Sequence, residues 1–172
     1  MRFSDATLRG ELYLRTDTFG TYEAQRSIVE RVETLVESGP MGEASVAGRW
    51  ESIHTPMEDY RDDALETLDT FERWADRNGF TLGPAFDRRT RTFLGQDCEQ
   101  EVVVFPVASL ALYEDDALQA VFPCSDAGMT RHYGVPDALD AFESCHWEWF
   151  DQFRTVTVDR DGPLLDTAAP PS

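Results

Sequence analysis

The chain has 172 residues, 41% of them hydrophobic and 28% charged, enough for one domain with a sizeable core and too apolar for a disordered chain. No run of about 18 apolar residues exists, which excludes a membrane-crossing helix, and the opening Met1-Arg2-Phe3-Ser4-Asp5 has no apolar signal core, so the expected location is the cytoplasm. Against 15 Arg and no Lys stand 33 Asp and Glu, a net charge of −18.

Residues 8–15 alternate, with Leu8, Gly10, Leu12 and Leu14 on one side and Arg9, Glu11, Tyr13 and Arg15 on the other, which predicts a half-buried strand. A polar loop follows over 16–20. Across 21–38, Ala24, Ile28, Val32, Leu35 and Val36 recur at helical spacing behind a Thr21 N-cap, and Gly39-Pro40 supplies the stop. Residues 44–53 alternate around Trp50 and predict a second strand. Thr55-Pro56-Met57-Glu58 combines an N-cap, a proline at the first helical position and a glutamate completing a capping box. The helix it opens runs to Asn78-Gly79, with Tyr60, Ala64, Leu68, Phe71 and Ala75 as its core stripe.

Residues 86–93, 100–113 and 118–122 read as strands. Glu101-Val102-Val103-Val104-Phe105 is the most continuous apolar run and is expected at the centre of a sheet, with a bend, bulge or edge at Pro106. Glu114-Asp115-Asp116 makes a hairpin of the last two strands. Val135-Pro136 opens a final helix that continues through Leu139, Phe142, Cys145 or His146, Trp149 and Phe153 to about residue 154. Residues 155–158 fit a short strand, and 159–172, with Gly162, Pro163, Pro170 and Pro171, a flexible tail.

The order β-α-β-α-β-β-β-α predicts an α+β (two-layer α/β) fold: a mixed sheet of about five strands with the helices mainly on one face. The first β-α-β fits a parallel crossover, and the hairpin end is antiparallel. A single domain is expected over 1–158, its core at 8–143 and its aromatic helix at 135–154.

The absence of Lys beside heavy Asp usage points to a salt-adapted cytoplasm. At molar salt the Debye length falls to about 3 Å, so neighbouring carboxylates stop repelling one another. Short acidic side chains keep such a surface hydrated, whereas long Lys stems add apolar area. Acidity does not exclude nucleic acid in that setting, because counterion release no longer drives binding. Arg88-Arg89-Thr90-Arg91 is the closest approach to a basic patch. Three widely spaced cysteines, Cys98, Cys124 and Cys145, read as reduced thiols.

Four segments carry a resemblance: Gly10-Glu11-Leu12-Tyr13-Leu14-Arg15, Phe71-Glu72-Arg73-Trp74-Ala75-Asp76-Arg77-Asn78-Gly79, Val104-Phe105-Pro106-Val107-Ala108-Ser109-Leu110-Ala111-Leu112-Tyr113 and Val121-Phe122-Pro123-Cys124-Ser125-Asp126. The chain resembles, over roughly residues 8–143, a family of small acidic proteins from halophilic archaea, uncharacterised or described only by a generic helix-turn-helix domain. The resemblance implies a high-salt cytosol and a regulatory role, and it brings no catalytic residues. A helix-turn-helix joins its helices by a turn of about 3–4 residues, whereas the alternating stretch around Trp50 separates the two long helices predicted here.

Four constellations are candidates for chemistry. Cys124, with Ser125, Asp126 and the more distant His132, follows a predicted strand and offers a thiol, a hydroxyl and a carboxylate; this is the thiol-enzyme or redox-sensor alternative, set against a small buried Cys ending a strand. Cys124, His132, Cys145 and His146 have zinc-type donors, but spacings of eight, thirteen and one match no finger, so no metal is expected. Glu58, Asp59, Asp62, Asp63, Glu66 and Asp69 read as a solvated acidic face. Trp147, Trp149, Phe150 and Phe153 project from more than one side of a helix, so that helix is either central to the core or a contact surface.

No nucleotide-loop, hydrolase-elbow, zincin or calcium-loop pattern occurs, and without Lys there is no Schiff-base or P-loop chemistry. The expectation is a non-catalytic binding or regulatory module without a cofactor, acting on a protein partner or as a homodimer through Trp147, Trp149, Phe150 and Phe153. The alternatives are the Cys124 thiol protein and a DNA-binding transcriptional regulator. A membrane partner is not expected.

Overall fold

The computed structural model describes residues 8–16, 20, 22–50, 53–54, 63–92, 99–153, 157–159 and 164–165. In chain order the elements are β1 (Leu8–Arg15), α1 (Tyr22–Ser38), β2 (Glu43–Trp50), β3 (Ile53–His54), α2 (Asp63–Asn78), β4 (Phe80–Thr81), β5 (Asp87–Thr92) and β6 (Glu99–Val104). There follow β7 (Ala108–Glu114), β8 (Ala117–Phe122), β9 (Cys124–Asp126), β10 (His132–Tyr133), α3 (Val135–Glu143), α4 (Trp147–Asp151), β11 (Thr157–Asp159) and β12 (Leu164–Leu165). The fold is α+β. Its main sheet has six strands in the order β12-β11-β8-β7-β1-β2, and two three-stranded sheets, β10-β9-β4 and β3-β6-β5, flank it.

The opening β1-α1-β2 unit is parallel, Arg9 facing Glu43 and Leu12 facing Val46, while β1-β7 and β7-β8 are antiparallel. The sheet is therefore mixed, with the hairpin where Glu114-Asp115-Asp116 placed it. Asp115 turns it at φ 56. Helix α1 ends at Ser38 because Gly39 takes φ 103 and donates its N–H to Leu35 O. Gly79, at φ 78, ends α2 likewise. The expected caps at Thr21 and Thr55-Pro56-Met57-Glu58, and the helical start over 55–62, lie outside the described residues.

Alternation along β1 sends its side chains to opposite faces. Leu12 lines a groove with Val29 and Val32 of α1, whereas Tyr13 packs edge-on against Phe71 of α2 at 5.6 Å. Helix α3 packs on α1 and α4 on α3, so three of the four described helices share the Leu12 face. Strand β1 was expected to be half-buried; it is buried on both faces, because α2 and the aromatic side chains beside it cover Tyr13. Glu11 is consequently buried on that face, accepting the Tyr13 hydroxyl at 2.9 Å with the Arg9 guanidinium 3.6 Å away. Gln25 fastens the start of α1 by donating to Arg15 O and Val107 O at 2.8 and 2.7 Å.

Three elements differ from the sequence pattern. The run 100–113 is two strands, not one. β6 is the middle strand of its own small sheet and β7 belongs to the main one, because Pro106 has no N–H to continue a ladder. The long C-terminal helix breaks over 144–146. Ser144 caps α3, Cys145 adopts φ 53, its N–H donates to Phe142 O, and the His146 N–H donates to Ala141 O at 2.9 Å. That pair of bonds is a Schellman stop made without glycine. Finally, within the stretch read as a tail, Leu164–Leu165 pairs with β11, which itself joins β8 at the sheet edge.

Candidate functional site

Phe122 closes β8, and the chain passes through Pro123 into β9. Strand β10 returns antiparallel, placing His132 opposite Ser125 and Tyr133 opposite Cys124. The register sets Ser125 Oγ 2.6 Å from His132 Nδ1 and 3.4 Å from Gly83 O. When the hydroxyl donates across the shorter contact, to Nδ1, the bond holds the ring and leaves its N–H on Nε2.

The loop between β9 and β10 is fastened by Asp126. Its Oδ1 accepts the N–H groups of Thr130 and Arg131 at 2.7 and 2.9 Å, and its Oδ2 accepts the Thr130 hydroxyl. These bonds, the Arg131 N–H foremost, hold the carboxyl below the usual carboxylate range. Met129 takes φ 58 in this loop, with its N–H donating to Asp126 O.

Beyond β10, Gly134 precedes α3 and donates its N–H to Asp137 Oδ2 at 2.7 Å. Arg31 of α1 reaches across to Asp140 at 2.6 Å and Glu143 at 2.8 Å, fixing α3. Trp149 of α4 stacks on Phe122 at 5.6 Å and 18°, and meets Tyr133 edge-on at 6.0 Å. The result is a cleft of about 480 Å³ between β10, α3 and α4, with Arg131, His132, Asp137, Asp140, Ser144 and His146 as its polar lining and Tyr133 and Trp149 as its aromatic wall. The volume falls in the range of small-molecule sites.

The sequence candidates distribute unevenly over this region. Cys124 is 3% exposed, and burial pushes its thiol pKa up, away from the thiolate a nucleophile needs. Asp126 serves its own loop, and His132 bonds Ser125. Cys124, Ser125 and His132 line a common pocket of about 320 Å³, and Asp126 is not part of its lining. Phe150 and Phe153 are fully buried, so they are core residues and not contact residues; Trp147 and Trp149 are half-buried against that core. Cys145 is exposed, and among the described residues no group of three or more His, Cys, Asp and Glu is arranged to hold a metal ion. Of the acidic run, Asp69 pairs with Arg88, while the side chains at 58–63 lie outside the described residues. Sequence reasoning missed the Ser125–His132 contact and the part played by Arg131, because nothing in the sequence announces that 124–126 and 132–133 pair.

A family model described as a helix-turn-helix domain matches residues 3–146. The chain belongs to that family. No curated protein and no solved structure matches it. The match ends at His146, so it takes in α3 and the following turn and stops short of α4. The turn over 144–146 has the length a helix-turn-helix uses. Among the described residues, no helix is long and apolar enough to cross a membrane.

Proposed function

We propose that the protein is a DNA-binding transcriptional regulator of a salt-adapted cytoplasm. Membership of the helix-turn-helix family over residues 3–146 is the observation that carries this reading. The absence of Lys and the net charge of −18 support the salt-adapted setting. Helix α4 is a poor recognition helix: it has five residues, buries Phe150, and exposes Glu148 and Asp151. Asp137, Asp140 and Glu143 are exposed on α3, and none of these ionised carboxylates can donate a hydrogen bond to phosphate. DNA contact is therefore assigned to β5, the edge strand of the β3-β6-β5 sheet, which carries Arg89 and Arg91 beyond Arg88, itself paired with Asp69 and Glu72. Strands, like helices, are used to read DNA grooves.

The test is a gel shift in molar KCl with fragments from upstream of the protein's own gene. Retardation that is lost in the double variant Arg89→Glu/Arg91→Glu is expected. No retardation of any fragment overturns the reading.

A second reading, a module acting through protein contact or as a homodimer, is favoured by the half-buried Trp147, which packs edge-on against Phe142 at 5.6 Å. Light scattering in molar KCl checks it: a dimer that Trp147→Ala dissociates is the expected result, and a monomer at all concentrations removes the homodimer.

A further inference from the structure

The cleft between β10, α3 and α4 is unlike the rest of this acidic surface. Two of the three histidines in the sequence, His132 and His146, converge on it, together with Arg131. The Arg131 guanidinium forms no ion pair or side-chain hydrogen bond among the described residues, unlike Arg26, Arg31 and Arg88, each of which is paired with a carboxylate. The two carboxylates that line the cleft are already engaged. Asp140 is held by Arg31 at 2.6 Å, and Asp137 accepts the Gly134 N–H at 2.7 Å. Arg131 is thus the charged group of the cleft left without such a partner.

The backbone beneath Arg131 and His146, and the ring of His132, are held before any ligand arrives. Arg131 sits at the end of a loop fastened by Asp126, and His132 is pinned through Nδ1 to buried Ser125. His146 follows the Schellman stop, with its N–H bonded to Ala141 O. The wall opposite is aromatic: Trp149 is backed by Phe122 and braced by Tyr133. A guanidinium offers a planar fork that matches a carboxylate or phosphate in two bonds. A half-buried indole offers a face for a planar ring. Bracing of the indole and of the backbone under Arg131 reduces the ordering cost of binding. At molar salt only contact-range charge pairs survive screening, which favours a forked contact over long-range attraction.

We propose that this cleft binds a small organic anion carrying a planar ring, its carboxylate or phosphate at Arg131, His132 and His146 and its ring against Trp149. The inference concerns the isolated chain and does not depend on DNA binding. The Ser125–His132 pair is a positioning device here, since Ser125 is buried beneath the imidazole.

The test is calorimetric titration of the full chain in molar KCl with two probes, benzoate and adenosine 5′-monophosphate, which separate a carboxylate ligand from a phosphate one. Saturable one-to-one binding of at least one probe is expected. Arg131→Ala, a change at an exposed side chain, is expected to weaken it about tenfold or more, as the loss of a charge-assisted contact implies. His146→Gln is expected to weaken it less, and Arg77→Ala, at an exposed residue on α2, to leave it unchanged. Near-UV circular dichroism of each variant establishes that it is folded. Failure of both probes to bind saturably overturns the proposal, and so does binding undiminished in folded Arg131→Ala and His146→Gln.

Discussion

Two aromatic clusters meet at α2 and end differently. The first gathers Tyr13, Trp50, Phe71, Phe86 and Phe105: Tyr13 stacks on Trp50 at 4.6 Å, Trp50 on Phe105 at 4.3 Å, and Phe71 meets Phe86 edge-on at 6.1 Å. It joins the main sheet to the segments around the small β3-β6-β5 sheet and closes on itself. The second starts one helical turn later at Trp74, which stacks on Phe80 at 5.4 Å and 4°. It continues through Phe153, Phe122 and Trp149 to Tyr133 at the cleft. The first cluster joins two layers and leaves Trp50 half-buried. The other runs from full burial at Trp74 to half-exposure at Trp149 and Tyr133. Both clusters therefore end in half-buried rings, and the difference is that those of the second, Trp149 and Tyr133, line the cleft.

The largest effects are expected where both clusters are dry. Phe71→Ala and Phe153→Ala each remove a fully buried ring, and each should cost about 3–5 kcal/mol in denaturant unfolding at constant salt. Equal losses would show that the second cluster is as much core as the first. Phe153→Ala with a cost below about 1 kcal/mol would break the comparison.

Smaller changes separate the clusters. A Cβ on Gly48 would lie 2.9 Å from Tyr13 Cδ1 and 3.2 Å from Cε1, so Gly48→Ala must push the Tyr13–Trp50 stack apart. A cost of about 1–3 kcal/mol is expected, with the probe affinity of the distant cleft unchanged. Trp74→Phe acts on the other side. The indole N–H donates to Gln119 O at 3.0 Å and Phe153 O at 3.1 Å, and removing it strands buried carbonyls at a cost of about 1–3 kcal/mol. Equilibrium unfolding measures both, and a neutral Trp74→Phe would show that those carbonyls find water.

Much of the frame was readable in the sequence because local chemistry and burial agree there. Leu8–Arg15, the glycine stops at Gly39 and Gly79, and the Asp115 hairpin follow from alternation and turn residues. The break in the C-terminal helix was not readable, because Cys145 takes a conformation that ordinarily calls for glycine. A left-handed non-glycine residue costs about 1–2 kcal/mol, part of which glycine's larger unfolded entropy offsets. Cys145→Gly should therefore stabilise the protein by about 0.5–1 kcal/mol in the same unfolding assay, and any destabilisation would show that the cysteine side chain is needed there. The cleft was hidden for a related reason: Ser125 and His132 meet through a two-residue pairing of strands too short to leave a period.

The finest distinction between the clusters is that only the second ends in a loop held by an ionised group. Asp126 has its folded pKa lowered, chiefly by the Arg131 N–H and then by the Thr130 hydroxyl. For a depressed carboxyl, the contribution of the charged form is complete above the unfolded value of about 3.9 and is lost only as pH falls through the lower folded value. The loop should therefore stay fastened from neutrality down to about pH 4 and loosen below it. Amide chemical shifts and hydrogen exchange of Thr130 and Arg131 read this directly. In Asp126→Asn those amides should exchange faster at neutral pH and show no acid step, while Phe71 and its neighbours stay unperturbed. An acid step that persists in Asp126→Asn would move the tether to another group and detach Arg131 from the rigid end of the cluster.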